Sequence, residues 1–271
     1  MDMAIASPPE KLSSAPITDW RPTWEIAHLF PEQGDWSEDE YLALNTNRLV
    51  EFTDGVLEVL HTANEPQPPK ALRVAYPTLT WEVAYLFPGQ GQWSEGEYLT
   101  LRPRRQVEFT DGFVEVLPMP KQSHQLILDY LFQALRFFVM ARHLGRVLFA
   151  PLRVQVRPGK FREPDIVFMK TENLARCHEE AWLGADLVIE IVSEDPKSRE
   201  RDLEKKLADY AESGIPEYWI VDPVEKRITV LVLEGKAYRV HGEFVRGQQA
   251  TSVLLNGFGV DVMATLEAGK A

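Results

Sequence analysis

An internal repeat constrains the fold of this chain more than any other feature of its sequence. Residues 23–60 and 80–117 align without a gap at an offset of 57, with 26 identical residues in 38 positions. Each copy carries a Ser-x-x-Glu capping box at the start of a short helix, then a strand, an Asp-Gly turn and a second strand. The sequence therefore predicts the same helix–hairpin unit twice. Because so short a unit buries little surface alone, each copy must pack against something else.

The repeat divides the chain into four predicted segments. We predict a flexible tail over 1–22, the first copy over 23–60, a Pro-rich linker over 61–79 and a main domain over 80–271 that includes the second copy. The 271 residues are 45% hydrophobic and 26% charged, which is typical of a globular protein and excludes a disordered chain. The single cysteine, Cys177, fits a reducing compartment. Without a signal sequence or a long apolar run, we expect a cytoplasmic protein that does not enter a membrane.

Charge is distributed unevenly along the chain. Residues 1–65 carry 13 acids and 3 bases, whereas 136–162 contain only basic charged residues. Either the basic stretch contacts DNA phosphates, or acids from elsewhere in the chain pair with it. Likewise, the acidic first copy either folds onto the basic stretch as a polyanion mimic or packs on the second copy or on a dimer partner. Four side chains are the candidates for DNA contact: Arg153, Arg157, Lys160 and Arg162.

The remaining sequence predicts a mixed sheet flanked by helices, an α/β fold of the α+β type. Apolar residues at helical spacing predict a helix from Ser123 to about Leu144, and Ser198 opens a second helix that Gly214 ends. A loop is expected over 171–185. Strands are predicted over 146–156, 164–169, 186–192, 217–221, 227–233 and 236–240.

Two carboxylates in the predicted strands are candidates for metal binding. Glu190 lies within the apolar run Leu-Val-Ile-Glu-Ile-Val, where a buried carboxylate needs a compensating cation or donor. Asp165 follows Pro164 at the start of a neighbouring strand, although Pro-Asp is also common in turns. Carboxylates at the ends of adjacent strands can bind a hard divalent ion, and Mg²⁺ often takes only one or two from the protein. The alternative for each acid is a purely structural partner.

A longer series of residues includes these two acids. It comprises Pro164-Asp165, Glu190, the helical pattern Asp202-x-x-x-Lys206-x-x-x-Tyr210-x-x-x-Gly214, and Glu-Tyr-Trp-Ile-Val-Asp-Pro at 217–223. With Trp-Ser-x-x-Glu-Tyr-Leu at 93–99, Glu-Phe-x-Asp-Gly at 108–112 and His124, this series resembles the Uma-type restriction-endonuclease family of the PD-(D/E)XK nuclease superfamily. The resemblance covers about residues 90–265.

The resemblance implies a fold, an activity and a partner. The fold is a restriction-endonuclease-like αβββαβ core, here preceded by the helix–hairpin duplication. The activity is hydrolysis of phosphodiester bonds in DNA with Mg²⁺ or Mn²⁺. Asp165 and Glu190, with the Ile191 carbonyl, are then the expected ligands of the ion, and DNA is the expected partner. The sequence leaves the oligomeric state open, and a homodimer is one candidate.

The sequence departs from the superfamily pattern at one position. The signature has Glu-x-Lys on the strand, but Val192 stands where the lysine belongs. Lys206 shares a helical face with Asp202 and Tyr210 and is the candidate replacement, with Lys205 as the second choice. The alternative for these helical residues is a surface ladder of charges.

The second repeat copy and the first core helix contribute three accessory candidates. Glu108 and Glu115 can supply a further acid, although a structural role in the hairpin is the favoured interpretation. His124 either contacts phosphate or caps the core helix.

Three functions remain open at this point. The chain is a metal-dependent DNA endonuclease, a catalytically inactive module of the same fold that binds nucleic acid or protein, or another hydrolase, such as a glycosidase, that uses the two acids. Dependence of activity on a divalent metal separates them.

Overall fold

The computed structural model describes residues 21–44, 50–59, 66–101 and 105–270. Nearly all of the predicted tail, 1–22, lies outside the described residues, as do residue 60 of the first copy and the start of the linker, 61–65. Within the described part of the linker, residues 70–75 form a short helix.

The two repeat copies fold into the same elements. Each begins with a 3₁₀-helix, Trp24–Leu29 or Trp81–Leu86. In both capping boxes the serine hydroxyl accepts from the backbone N–H of the glutamate, whose carboxylate accepts from the serine N–H. The first copy continues with α1 (Glu38–Leu42), β1 (Val50–Thr53) and β2 (Val56–Val59). The linker helix is α2 (Lys70–Ala75). The second copy continues with α3 (Glu95–Thr100), β3 (Val107–Thr110) and β4 (Phe113–Val116).

The Asp-Gly turns have the backbone geometry that their sequence predicts. Asp54 and Gly55 have φ angles of 49° and 82°, and Asp111 and Gly112 have 46° and 87°, as a two-residue hairpin turn requires. A Cβ atom on Gly55 would lie 2.5 Å from the carbonyl oxygen of Gly34. Only glycine therefore fits this turn without moving the neighbouring loop.

The two copies pack against each other with reciprocal contacts. Trp36 Nε1 donates to Thr80 Oγ1, and Trp93 Nε1 donates to Thr23 Oγ1, both at 2.9 Å. Both indoles and both threonines are buried, and one apolar core contains side chains from the two copies. Since residue pairs exchange roles across the contact, the copies form a pseudo-two-fold pair. Among the interpretations of the acidic first copy, packing on the second copy is the one that agrees with the structure.

The main domain is built on a six-stranded sheet. Its strand order is β13-β12-β11-β10-β8-β5, and β10 and β11 are its parallel pair. The elements are α4 (Gln122–Ala141), β5 (Gly145–Phe149), β6 (Val154–Arg157), β7 (Lys160–Arg162), β8 (Ile166–Lys170), β9 (Trp182–Leu183), β10 (Leu187–Ile191), α5 (Pro196–Glu200), α6 (Lys206–Glu212), β11 (Glu217–Asp222), β12 (Arg227–Glu234), β13 (Ala237–Val245), β14 (Gln249–Thr251), β15 (Gly259–Asp261) and α7 (Val262–Ala268).

Alternate residues of the sheet face two separate cores. On β8, Ile166 and Phe168 pack with α4, whereas Val167 and Met169 pack with α6 and β6. The order α4, β5, β8, β10, α6, β11 supplies the expected αβββαβ core, with the helix of the crossover between β10 and β11 on one face of the sheet. The chain is thus a mixed α+β protein of restriction-endonuclease-like fold.

A second sheet joins the repeat to the main domain. Its order is β4-β3-β7-β6-β9, and Phe109 of β3 pairs with Phe161 of β7. Through this pairing, the hairpin of the second copy is hydrogen-bonded to the main domain. In the first copy, β1 and β2 form a two-stranded sheet of their own.

Three predicted elements differ from those observed. The strand expected over 146–156 is two strands, β5 and β6, in different sheets, because Pro151 between them has no N–H to continue a ladder. The predicted loop 171–185 contains a 3₁₀-helix, Thr171–Arg176, and the short strand β9. The second core helix is interrupted by a π-helical turn, Arg201–Lys205, between α5 and α6.

Candidate active site

A cavity of about 680 Å³ opens where β8 and β10 meet the start of α4 and the π-helical turn. Its lining includes Asp165 and Glu190 from the strands and Lys206 from α6. His124 from α4 and Asp202 from the π-helical turn line it as well. Five of the residues selected from the sequence therefore meet in one cavity.

Asp165 and Glu190 face each other across two antiparallel strands. Ile166 of β8 pairs with Ile189 of β10, and continuing this register by one residue puts Asp165, directly before β8, opposite Glu190 on the same face. Both are buried, with exposed fractions of 6% and 2%. Two carboxylates so close in a buried site need compensating positive charge.

The first compensating charge lies beside Asp165. His124 Nε2 is 3.2 Å from Asp165 Oδ2, which also accepts a hydrogen bond of 2.7 Å from the Ile191 N–H. Burial alone would raise the pKa of Asp165, but His124 and the Ile191 amide hold that pKa below its usual value. Burial lowers the pKa of His124, and the Asp165 carboxylate outweighs this effect and raises it. Between the two roles considered for His124, helix capping is not observed, since the N-cap of α4 is Lys121.

The second compensating charge lies beside Glu190. This charge is the Lys206 ammonium, whose Nζ lies 2.9 Å from Glu190 Oε1. The same oxygen accepts a hydrogen bond of 2.5 Å from the Tyr210 hydroxyl. Burial raises the pKa of Glu190 to about 8, the Lys206 ammonium opposes this shift, and Asp165 and Asp202 add to it. Burial and the neighbouring acids thus disfavour the charged form of Glu190, and a cation bound beside it would favour that form.

Lys206 lies at the centre of this cluster. Its Nζ is 3.3 Å from Asp202 Oδ1 and 3.6 Å from Glu108 Oε1, besides its contact with Glu190. Burial disfavours its charge, but the three carboxylates raise its pKa above the ordinary value. Lys205, by contrast, has a side chain 57% exposed and pairs with Glu200. The helix thus directs Lys206 into the cavity and Lys205 away from it.

Glu108 connects the repeat to the cluster. It is 1% exposed, and its Oε2 accepts from Arg162 at 2.7 Å. Lys206 and Arg162 together lower its pKa despite burial. Glu51, the same position in the first copy, is exposed on β1. Glu115 remains at the surface, where its carboxylate is 41% exposed and 4.0 Å from Arg201.

The four basic candidates for DNA contact all have partners within the chain. Arg153 donates to the carbonyls of Leu99 and Leu101, and Arg162 pairs with Glu108 and Asp209. Lys160 binds Asp209, and Arg157 binds Asp111. For these four residues, pairing within the chain is the interpretation that agrees with the geometry, whereas Arg136, Arg142 and Arg146 of the same stretch are exposed. Arg153 and Arg162 are also buried, which removes them from any DNA surface.

Sequence reasoning missed Glu163, which lines the same cavity. It is 2% exposed, and its Oε2 accepts from the Val107 N–H at 3.1 Å. Burial raises its pKa to about 8, although Arg153 opposes the shift. The sequence signal that could have identified Glu163 as a site residue was its position directly before Pro164 and Asp165. Arg201, at the start of the π-helical turn, is a second lining residue that the motif did not include.

The carboxylates have free oxygens that suit a hard cation. Among the described residues, Asp165 Oδ1 and Glu190 Oε2 accept no hydrogen bond, since the hydrogen bonds to these side chains use the other oxygen. No group of three or more His, Cys, Asp or Glu side chains suited to a metal occurs in the described parts of the chain. An ion here would rely on two carboxylates, a carbonyl and water, a donor set that fits Mg²⁺.

Comparison with known proteins places the chain in a family. Residues 95–263 match the family model of Uma2, which is described as "Putative restriction endonuclease". The chain belongs to the Uma2 family. The matched residues include Asp165, Glu190 and Lys206, which form the floor of the cavity, but not the first repeat copy.

A solved structure supports the fold. The crystal structure of a protein described as "a putative nuclease belonging to DUF820", from Anabaena variabilis, is similar with a TM-score of 0.52 at 17% identity. The similarity covers 64% of this chain and 97% of that one. No curated protein matches the sequence. Among the described helices of this Uma2 member, none is long and apolar enough to cross a membrane.

Proposed function

We propose that this Uma2 protein is a metal-dependent DNA endonuclease that uses Mg²⁺ or Mn²⁺. The observation that carries the proposal is the buried cluster of Asp165, Glu190 and Lys206 at the floor of an open cavity. Paired carboxylates can hold a divalent ion beside a scissile phosphate, and a neighbouring lysine can stabilise the negative charge that develops on that phosphate. The family of the chain supports nucleic acid as the substrate.

Asp165 and Glu190, with the Ile191 carbonyl, would hold the ion in this proposal. When bound, the ion supplies a Lewis acid that polarises the scissile phosphate and lowers the pKa of water. Their opposed positions on β8 and β10 fix the two carboxylates before the substrate arrives, so little reorganisation is needed.

Lys206 stabilises the extra negative charge that develops on the phosphate in the transition state. Three neighbouring carboxylates keep its amine protonated, so it acts as a fixed cation and not as a base. Tyr210, by donating to Glu190, fixes the carboxylate that lies nearest to Lys206. The Asp165 carboxylate raises the pKa of His124, whose Nε2 lies 3.2 Å from Asp165 Oδ2 and helps to fix that carboxylate.

The test is cleavage of a supercoiled plasmid during a titration with Mg²⁺ or Mn²⁺. We expect cleavage that depends on the ion, stops with a chelator and is lost in Asp165→Ala and in Glu190→Ala. Asp129→Ala is the matched control, since Asp129 is an exposed acid on α4 outside the cavity lining.

Two results would contradict the proposal. Cleavage that persists in Asp165→Ala or in the presence of a chelator would place the chemistry elsewhere. DNA binding without cleavage at any concentration of either ion would favour the inactive binding module.

A further inference from the structure

The reacting groups of the proposed nuclease are almost completely buried, although they line the cavity. Asp165, Glu190 and Lys206 are exposed by only 6%, 2% and 2%. A scissile phosphate must therefore descend into the cavity to reach them. The backbone of an intact duplex lies on a stiff, convex helix, whereas an unpaired strand can bend its backbone inward and turn its bases aside.

The size of the cavity fits one strand. Its volume of about 680 Å³ lies within the range of roughly 300–1,000 Å³ that encloses small organic ligands. Such a space accommodates a nucleotide or two of a single strand but not two paired backbones. From this geometry we propose that the substrate is unpaired DNA, as in single strands, flaps or frayed ends; the proposal rests on the function proposed above.

An apolar surface in the same cavity is placed to receive an unstacked base. It includes Met119 from the loop before α4 and Met263 and Leu266 from α7. Met119 is 62% exposed and Met263 37%, so water covers these side chains until something binds. Methionine packs adaptably against flat rings, and apolar side chains are a common contact for bases removed from a stack. The proposed hydrolysis itself makes no use of this surface.

Cations without partners lie in the same lining. Lys226, in the turn between β11 and β12, and Lys270, after α7, are exposed and have no ion-pair partner among the described residues. They can bind the phosphates that flank the one at the floor. The lining also contains Glu194 and Glu267. A duplex resting across the mouth would bring two backbones against these acids, whereas one strand can avoid them.

The experiment compares binding and cleavage of one oligonucleotide sequence in single-stranded and duplex form. Fluorescence anisotropy with the full chain in a chelator gives affinity without cleavage, and a second series with Mg²⁺ or Mn²⁺ gives cleavage rates. We expect the single strand to bind about tenfold or more tightly than the duplex. It should also be cut faster.

Two matched pairs of variants test the surfaces. Met119→Ala should weaken single-strand binding about fivefold or more, whereas Met140→Ala should not, because Met140 is 59% exposed but outside the cavity lining. Lys226→Glu should reduce the slope of log affinity against log salt by about one or more. Lys236→Glu should leave it unchanged, because Lys236 is exposed at the other end of β12.

The outcomes separate this inference from the proposed function. Equal binding and cutting of both forms, or equal effects within either pair of variants, would refute the unpaired-strand substrate and leave the nuclease intact. Preferential binding of the single strand with no cleavage of either form would support the binding surface and refute the nuclease. Preferential binding of an RNA oligonucleotide of the same sequence would overturn the assignment to DNA.

Discussion

Replacing Glu108 by glutamine tests whether the second repeat copy supports the active-site cluster electrostatically. Glu108 Oε2 lies 2.7 Å from Arg162, and Oε1 lies 3.6 Å from Lys206. At an effective dielectric constant near 20, these distances correspond to attractions of about 6 and about 5 kcal/mol, most of which offsets the cost of burying the charges. Glutamine keeps the shape and one acceptor but leaves two buried cations with one anion fewer.

We expect Glu108→Gln to lower the free energy of unfolding by about 3 kcal/mol at neutral pH, the lower end of the cost of breaking a buried ion pair. For a chain of this size, that corresponds to a fall in Tm of roughly 6–12 °C. Glu51→Gln is the control, because Glu51 has the same local sequence and is exposed. We expect it to change the free energy of unfolding by no more than about 0.5 kcal/mol.

The pH dependence of this difference gives a second measurement. The folded pKa of Glu108 lies below its ordinary value of 4.5, so its charge stabilises the fold fully above that value. That stabilisation is lost as the pH falls through the folded pKa. The difference between wild type and Glu108→Gln, measured by urea unfolding, should therefore be largest near neutrality and shrink below about pH 4.5. Equal effects of the two substitutions, or a difference that does not change with pH, would refute the reasoning.

Three further predictions concern other contacts. Lys206→Ala should reduce plasmid cleavage by about a hundredfold or more, and Lys205→Ala should leave it unchanged; equal effects would remove Lys206 from the mechanism. Glu217→Gln should cost about 2 kcal/mol or more in urea unfolding, because all four groups bound to its carboxylate are donors, and an unchanged midpoint would contradict this account. Thr23→Val and Thr80→Val should each cost about 1–3 kcal/mol, since each leaves a buried tryptophan N–H without an acceptor; strongly unequal losses would argue against the pseudo-two-fold pair.

Local sequence was sufficient wherever a structure depends on neighbouring residues. The capping boxes at Ser37 and Ser94 and the turns at Gly55 and Gly112 depend on residues within a few positions, and all four formed as predicted. The approximate positions of the core helices and of most core strands also followed from apolar spacing. One exception was the break at Pro151, where proline was the local signal and a single strand was predicted across it.

Contacts between distant residues could not be predicted from the sequence. Glu51 and Glu108 share the local sequence Val-Glu-Phe-Thr-Asp-Gly, yet one is exposed and the other buried, because only the strand that carries Glu108 pairs with β7. Arg162 binds Asp209 across 47 positions of sequence, which a count of charges in one stretch does not reveal. The convergence of Asp165, Glu190 and Lys206 was expected from the resemblance, but the distances between their side chains depend on tertiary packing and could not be read from local sequence.

The pairing of the two repeat copies has a consequence for how this protein responds to dilution. Two separate chains that met through such a surface would come apart as their concentration fell. Joined in one chain, the two halves meet at an effective concentration that a short connection can raise to the millimolar range, whatever the amount of protein in the cell. The buried indole–threonine contacts then persist even in a solitary molecule. A relative with only one copy would need a second chain, or a different cover, for the same apolar face.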